Sequence, residues 1–229
     1  MKKSISVLFL YLLSSTQSIS LNMYNRQSII RSLPLLASAN INLDDDTPKP
    51  PQTIIQSDNN DLYFYGPVSQ ESTTILRTQL VELDKKSRTF ELTYNSPPPP
   101  INLHIQSGGG SLLHTYYIVD LIKNLETPVY TYIDGFAASA ATLISVAGDK
   151  RFMTKNSMML IHQLSSQNSG KFLEIEDDMS NLKTMMALLK KIYLENTNLT
   201  EEILTELLRK DLWLTSDICL EYGLVDKII

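Results

Sequence analysis

From residue 61 onward, short stretches rich in apolar and aromatic residues alternate with longer segments of helical periodicity. The strand-like stretches alternate apolar with polar residues, as Ile101, Leu103 and Ile105 do with their neighbours, and several end at glycine. This pattern predicts strands at residues 61–65, 101–106, 128–134, 151–154 and 158–162. It predicts helices at residues 69–86, 112–125, 135–146, 171–195, 200–210 and 215–222. Strands separated by helices of this length indicate crossover connections and a layered α/β fold.

The predicted helix at residues 171–195 is the longest and carries a narrow apolar stripe. The stripe residues recur at intervals of four and three, and they are Ile175, Met179, Leu182, Met186, Leu189 and Tyr193. This heptad spacing suits packing against another helix. Two interpretations follow: the stripe faces the core of its own subunit, or the helix projects and packs on a second subunit.

The amino-terminal head differs in charge from the rest of the chain. Residues 1–43 contain no Asp or Glu, and their four basic residues carry +4 in a chain whose net charge is −5. The basic start and short apolar run are typical of a signal peptide, and the run is below the ~18 apolar residues of a membrane span. The Arg- and Ser-rich stretch 23–39 is typical of a transit peptide. Residues 1–43 are therefore expected to be a targeting presequence. We favour the chloroplast over a plain signal peptide or a mitochondrial presequence starting at Met23.

A polar segment separates this head from the domain. Residues 44–60 contain three consecutive aspartates and the prolines Pro48, Pro50 and Pro51, with little apolar material to bury. We expect residues 44–60 to be a disordered linker and residues 61–229 to form the folded domain.

Composition excludes several classes of protein. With 43% hydrophobic and 20% charged residues, the chain has ordinary globular usage. Its acidic balance argues against nucleic-acid binding, which needs a basic face. The single cysteine, Cys219, permits no intrachain disulfide, and His104, His114 and His162 lack paired metal-ligand spacing. We therefore expect no metal site.

Three segments carry candidate chemistry. Residues 107–110, Ser-Gly-Gly-Gly, follow a predicted strand and let backbone N–H groups approach a ligand. Ser139 lies among small residues near a predicted helix start, where developing negative charge is favoured, and His162 ends an apolar strand. Each segment also has a purely structural interpretation. The glycine segment can be a turn, the small residues around Ser139 can allow a close helix–helix contact, and His162 can be a core histidine. Together they make a serine hydrolase plausible, but they leave the acid open. The downstream candidates are Asp177, Asp178, Asp211, Asp217 and Asp226.

The segments also occur among five motifs that resemble the proteolytic subunit of the Clp protease, in family order across about residues 63–229. They are Ser107-Gly108-Gly109-Gly110, Gly135-Phe136-Ala137-Ala138-Ser139, Leu160-Ile161-His162-Gln163, Arg209-Lys210-Asp211-Leu212-Trp213-Leu214-Thr215 and Glu221-Tyr222-Gly223-Leu224-Val225-Asp226. The resemblance implies the layered fold of repeated β-β-α units shared by the Clp and crotonase families, with residues 171–195 as a projecting handle helix.

The resemblance also assigns roles. It implies Ser139 as nucleophile, His162 as general base and Asp211 as the acid, with the backbone N–H groups of Gly110 and Ala140 as the oxyanion hole. It implies heptameric rings, of this chain or paralogous subunits, stacked as a double ring. An AAA+ Clp unfoldase would hydrolyse the ATP and deliver unfolded proteins, so that the subunit itself needs no cofactor. Neither nucleic acid nor stable membrane insertion is expected.

Three departures from the family pattern accompany these expectations. Gly108 and Leu164 replace prolines of the family, and little room is left for the usual first helix before residue 63. The last departure bears on unfoldase docking and pore gating. Two alternatives have different functions: a non-catalytic ring subunit that scaffolds assembly, and a crotonase-type acyl-CoA enzyme on the related fold.

Overall fold

The alternation of strands and helices expected from the sequence is present in the computed structural model, which describes residues 53–229. The strands are β1 (Ile54–Asp58), β2 (Asp61–Tyr65), β3 (Ile101–Ser107), β4 (Val129–Ala138), β5 (Lys150–Met153), β6 (Met158–Leu160), β7 (Trp213–Thr215) and β8 (Lys227–Ile228). The helices are α1 (Gln70–Tyr94), α2 (Leu112–Asn124), α3 (Ala140–Val146), α4 (Phe172–Asn196), α5 (Glu201–Leu208) and α6 (Ser216–Glu221). The α/β fold class is confirmed.

One mainly parallel sheet organises the described residues. Its strand order is β1-β2-β3-β4-β5-β8, with β6 pairing β4 and β7 pairing β6. Only the β1–β2 and β6–β7 pairs are antiparallel. The helical connections between β2, β3, β4 and β5 are the crossovers that parallel neighbours require.

The two faces of the sheet differ in burial. Leu62, Phe64, Leu103 and Ile133 are fully buried on one face, in a core that they share with residues of α1, α2 and α3. On the other face, half-buried Tyr63, His104, Tyr132 and Phe152 form a cross-strand stack from β2 to β5. Their successive ring centroids are 4.8, 4.7 and 4.8 Å apart. This alternation follows the period of two that the sequence shows.

The prediction of a helix at residues 135–146 is wrong for residues 135–138. Residues 135–138 extend β4 instead, and Phe136, Ala137 and Ala138 pair with β6. The first half of β4 pairs with β5, and Gly135 stands at the change of partner with φ +89°. Alanine favours a helix in isolation, but long-range pairing outweighs that local preference. α3 consequently begins at Ala140.

Other boundaries also need correction. Part of the predicted linker 44–60 is β1, whose apolar Ile54 and Ile55 pair with β2. α1 runs to Tyr94, beyond the predicted end at residue 86, because the first strong breakers are the prolines from Pro97 onward. β7 and β8 were not predicted. Residues 44–52 and the expected targeting presequence 1–43 lie outside the described residues.

The apolar stripe of α4 faces the core of its own subunit in one half only. Leu189 and Tyr193, in its carboxyl-terminal half, are buried in the core of their own subunit. Met186 is half-buried against that core, whereas Ile175 and Met179 are exposed by 39% and 49%. The core therefore accounts for only one half of the stripe. Within residues 53–229, no helix is long and apolar enough to cross a membrane.

Candidate active site

Three neighbouring parallel strands end at one place in the sheet. β3 runs into the glycine loop 107–110, β4 ends directly before Ser139, and β6 ends two residues before His162. β4 lies between the other two and is parallel to both. The carboxyl ends of parallel strands are where ligand sites form in α/β sheets. This topology brings the three candidate segments together.

Ser139 occupies a sharp turn between β4 and α3. Its backbone has φ 56° and ψ −129°, a conformation that a residue with a side chain rarely adopts. The turn is held because the Ser139 N–H donates to the Leu160 carbonyl at 2.8 Å. Although Ser139 is the N-cap residue of α3, its side chain makes no capping hydrogen bond. The hydroxyl is therefore not committed to the helix.

The hydroxyl lies in a cavity of about 370 Å³. Ser139, Ala140, His162 and Gly110 all line this cavity. The remaining lining residues come from the start of α2, the segment after β6, and α4, and they are Ser111, Leu112, Leu164, Ser165, Ser166, Leu182, Met185, Leu189 and Tyr193. The cavity thus has an apolar wall on α4 and a polar side on the loops.

The side chains of His162 and Asp211 lie close together, and His162 lines the cavity. The Nδ1 atom of His162 lies 3.3 Å from Oδ1 of Asp211. The next residue, Gln163, donates its N–H to the Leu208 carbonyl at 3.0 Å and so fixes the chain beside the histidine. An imidazole whose Nδ1–H faces a carboxylate presents Nε2 as the basic atom. The Asp211 side chain is 81% exposed, so water screens this pair in the single chain.

Ser139 and His162 share the cavity without contact between their reactive groups. Among the hydrogen bonds of residues 53–229, none joins the Ser139 hydroxyl to the His162 ring. Catalytic hydrogen bonds are commonly long in a free enzyme and shorten when substrate binds. The side chains that the resemblance implies as nucleophile and base thus share one cavity, and Asp211 lies beside His162.

The resemblance implies the backbone N–H groups of Gly110 and Ala140 as oxyanion donors. Gly110 forms a parallel bridge with Val68, in which Val68 donates to the Gly109 carbonyl and accepts from Ser111 N–H. In such a bridge the N–H of Gly110 itself points away from Val68. Ala140 is the first residue of α3, where N–H groups have no partner within the helix. Both residues line the cavity beside Ser139.

The hydroxyl of Tyr193 helps to hold the Ser139 turn through Thr142, a role that the sequence did not reveal. It is hydrogen-bonded to Thr142, whose Oγ1 also donates to the carbonyl of Ser139. Burial raises the pKa of Tyr193, which therefore stays a neutral phenol. Only its heptad position was visible in the sequence, and that spacing indicated packing alone.

A second polar cluster lies on the stacked sheet face, away from the cavity. Asp134 accepts hydrogen bonds from Tyr65 at 2.7 Å and from His104 Nδ1 at 2.8 Å. Burial alone would raise the pKa of Asp134, but the bonds from His104 and Tyr65 hold it below its ordinary value. These three residues follow the strand alternation of β2, β3 and β4, and nothing in their spacing marked them as a cluster.

The described residues contain no group of three His, Cys, Asp or Glu side chains that could hold a metal ion. Cys219 is buried, and burial raises the pKa of its thiol to about 12, so that the neutral form persists near neutral pH. Neither finding adds a residue to the site.

The fold defines an α/β protein whose candidate site lies at the carboxyl ends of parallel strands. Comparison with known proteins identifies the family, because the model of the Clp protease family matches residues 57–229. The chain belongs to the Clp protease family.

Individual relatives support the same family assignment. The chain is 29% identical over 176 residues to the ATP-dependent Clp protease proteolytic subunit 1 of Chlamydia muridarum, covering 75% of this chain and 87% of that one. It is 33% identical over 165 residues to subunit 2 of Treponema denticola, covering 71% and 78%. Among solved structures, a ClpP1 mutant from Listeria monocytogenes is similar with a TM-score of 0.65 at 27% identity, covering 75% of this chain and 91% of that one.

Proposed function

We propose that the chain is a serine-type endopeptidase, the proteolytic subunit of an ATP-dependent Clp protease. One observation carries this proposal: the cavity that holds Ser139 is also lined by His162, Gly110 and Ala140, with Asp211 3.3 Å from His162. Nucleophile, base, orienting acid and oxyanion donors are the complete set that acyl transfer to serine requires.

The reaction begins when Ser139 Oγ attacks the peptide carbonyl and His162 Nε2 takes its proton. The carbonyl oxygen becomes an oxyanion, which accepts hydrogen bonds from the N–H groups of Gly110 and Ala140. His162 then donates the proton to the departing amine, and an acyl group remains on Ser139. Water attacks this ester by the reverse sequence and releases the acid. Asp211 keeps Nδ1–H in place and stabilises the imidazolium.

The subunit works in an oligomer, as heptameric rings stacked into a double ring. Support comes from the amino-terminal half of α4, which exposes Phe172, Leu173, Ile175 and Met179. A run of exposed apolar side chains on one helix favours burial against another copy of that helix. The chemistry of the rings requires no metal or cofactor in this subunit. An AAA+ unfoldase consumes ATP and supplies unfolded proteins, and the role is protein quality control.

A fluorophosphonate probe tests the chemistry, because it reacts with a serine only where a base and an oxyanion hole activate it. We expect stoichiometric modification of Ser139 in the full-length protein, located by mass spectrometry, and none in Ser139→Ala or in heat-unfolded protein. Ring-sized particles without any labelling would support the scaffolding alternative instead. Modification of another serine would overturn the assignment of the nucleophile.

The targeting proposal has its own test. We propose that residues 1–43 direct the protein to the chloroplast, because they combine a signal-like start with an acid-free, Arg- and Ser-rich stretch. A fluorescent protein fused behind residues 1–43 should enter plastids. Entry into mitochondria, or secretion, would contradict the proposal without affecting the peptidase assignment.

A further inference from the structure

Ser111 occupies the N-cap position of α2 but does not cap the helix. A serine at this position ordinarily accepts a hydrogen bond from the N–H of the second or third helical residue. Here the side chain makes no capping bond, and its Oγ lies 2.6 Å from Nδ1 of His114. His114 is the third residue of the helix. The hydroxyl is therefore diverted from the backbone to an imidazole ring.

Ser111 lines the cavity that contains Ser139. It directly follows Gly110, and its N–H donates to the Val68 carbonyl at 2.8 Å, which fixes its backbone. His114 lies three residues on, in the first turn of α2. Two other serines line the cavity, but they follow β6, and the hydroxyl of Ser166 bonds Asn168. Ser111 is thus a polar group held from both its backbone and its side chain.

The α4 wall of the cavity is mostly apolar, so a polar substrate side chain must find its hydrogen bonds on the loop side, where Ser111 lies. A hydroxyl has one proton and two lone pairs, and the bond to His114 uses one of them. If Nδ1 of His114 carries no proton, the Ser111 hydroxyl donates to it and keeps its lone pairs for a ligand. If Nδ1 carries a proton, Ser111 accepts and can donate its own proton. A carboxamide matches either state because it both donates and accepts.

We propose that the Ser111–His114 pair makes this cavity select substrate residues with a carboxamide side chain, asparagine or glutamine, on the acyl side of the cleaved bond. The inference rests on the proposed peptidase function and adds its substrate class. A site that hydrogen-bonds a substrate group discriminates against an analogue lacking it, because the analogue forgoes that bond. Ser111 is a specificity-determining residue, and His114 positions it.

The test compares two peptides that differ only in having Asn or Leu on the acyl side, which are nearly equal in size. The measured quantity is the ratio of kcat/KM for the Asn peptide to that for the Leu peptide. Ser111→Ala should lower this ratio about tenfold, the effect of one lost hydrogen bond. Ser111→Thr keeps the hydroxyl and should retain the ratio. Ser180→Ala, at an exposed serine of α4 that does not line the cavity, is the control and should also retain it.

His114→Phe provides a second variant with a different mode of action. It leaves the serine in place but removes its partner, so the hydroxyl can turn to the helix N–H groups. We expect the ratio to fall here as well, with the helix kept or stabilised in thermal unfolding. An unchanged ratio in Ser111→Ala and His114→Phe, with active wild-type enzyme, would overturn the inference and leave the peptidase proposal intact. Wild-type protein that neither cleaves peptides nor reacts at Ser139 would overturn both.

Discussion

Gly109 packs so closely against Ser139 that a methyl group on Gly109 would lie 2.8 Å from the Ser139 Cβ. The same methyl group would lie 2.6 Å from the Ala138 carbonyl oxygen and 2.9 Å from the Ala140 nitrogen. Gly109 also has φ +88°, where residues with a side chain are strained. The glycine loop and the turn that carries Ser139 therefore meet at a contact where only a hydrogen atom fits.

The first prediction concerns this contact. Gly109→Ala should displace the turn that carries Ser139 and lower peptidase activity at least about 100-fold, because displacements near 1 Å cost that much in catalysis. Gly108→Ala is the control, since a methyl group there meets no atom within 4 Å. Peptide hydrolysis and thermal unfolding of both variants measure the effects. Near-normal activity in Gly109→Ala would show that the contact does not position the nucleophile.

The second prediction concerns backbone strain at Ser139. A side chain at φ 56°, ψ −129° costs about 1–3 kcal/mol, which glycine avoids. Ser139→Gly should therefore be at least as stable as Ser139→Ala, although both are inactive. At Ser145, the second-last residue of α3, the glycine variant should instead be less stable than the alanine variant by up to about 1 kcal/mol. Urea unfolding of the four variants gives the comparison. If Ser139→Gly were less stable than Ser139→Ala, as expected for a residue within a helix, the backbone at Ser139 would not be strained.

The third prediction concerns Asp211, the proposed catalytic acid. Asp211→Asn should lower turnover by up to about 10⁴-fold while the fold persists, because the imidazole loses the carboxylate that stabilises its charged form. Asp217→Asn is the control; this carboxylate lies in the first turn of α6, and its loss should cost about 1 kcal/mol of stability or less. Turnover and circular dichroism should be measured on both. A larger loss of turnover in Asp217→Asn than in Asp211→Asn would show that Asp211 is not the catalytic acid.

The fourth prediction concerns the exposed half of the α4 stripe. Met179 is 49% exposed in the single chain, so Met179→Glu should leave the subunit folded. In a double ring it would place an unpaired carboxylate in a desolvated contact, costing several kcal/mol, repeated around the ring. Sedimentation velocity should show a folded particle of half the mass. Ser180→Glu, the next residue and outside the stripe, should leave the assembly intact. Intact double rings in Met179→Glu would contradict this interface.

The fifth prediction concerns acid stability and the ion pair of Arg151 with Asp226. The guanidinium contacts the carboxylate through Nε at 3.1 Å and Nη2 at 2.6 Å. Burial alone would raise the pKa of Asp226, but the hydrogen bonds and charge of Arg151 hold it below its ordinary value. The carboxylate therefore stabilises the fold at pH above its unfolded pKa, about 4, and this contribution disappears as pH falls through the lower, folded pKa.

Asp226→Asn should remove that contribution. The difference in free energy of unfolding between wild type and variant should be constant above about pH 5 and shrink at lower pH. Arg151→Gln should weaken the same pH dependence, because it removes the hydrogen bonds and charge of the guanidinium but keeps the backbone N–H of residue 151, which also donates to Asp226. Urea unfolding between about pH 3 and 8 measures both. A difference that grows as pH falls would have the wrong sign for a lowered pKa.

Local chemistry explains why the position of the site could be anticipated. The glycine loop, Ser139 and His162 each follow an apolar stretch, and parallel strands end at a common edge of the sheet. Alternation within β2, β3 and β4 likewise showed which residues face the core, because side chains of a strand alternate between its two faces. The predicted α/β class and the Clp resemblance agree with the fold and the family found.

Long-range pairing decided the rest. Residues 135–138 have a helical composition but become strand because β6 lies beside them, and this creates the turn at Ser139. Spacing alone left five candidate aspartates open, and folding brings Asp211 within 3.3 Å of His162. The uniform stripe of α4 is buried in one half only, since the core of the subunit reaches only that half.

By itself, therefore, the sequence determined the α/β class, the core-facing positions and the residue types of the candidate site. These depend on neighbours within a few residues, whose periodicity and turn chemistry are written along the chain. Only the tertiary structure decided the strained turn at Ser139, the diversion of Ser111 to His114 and the divided surface of α4. Each of these depends on contacts between segments, or on a choice between partners, that local preference does not settle.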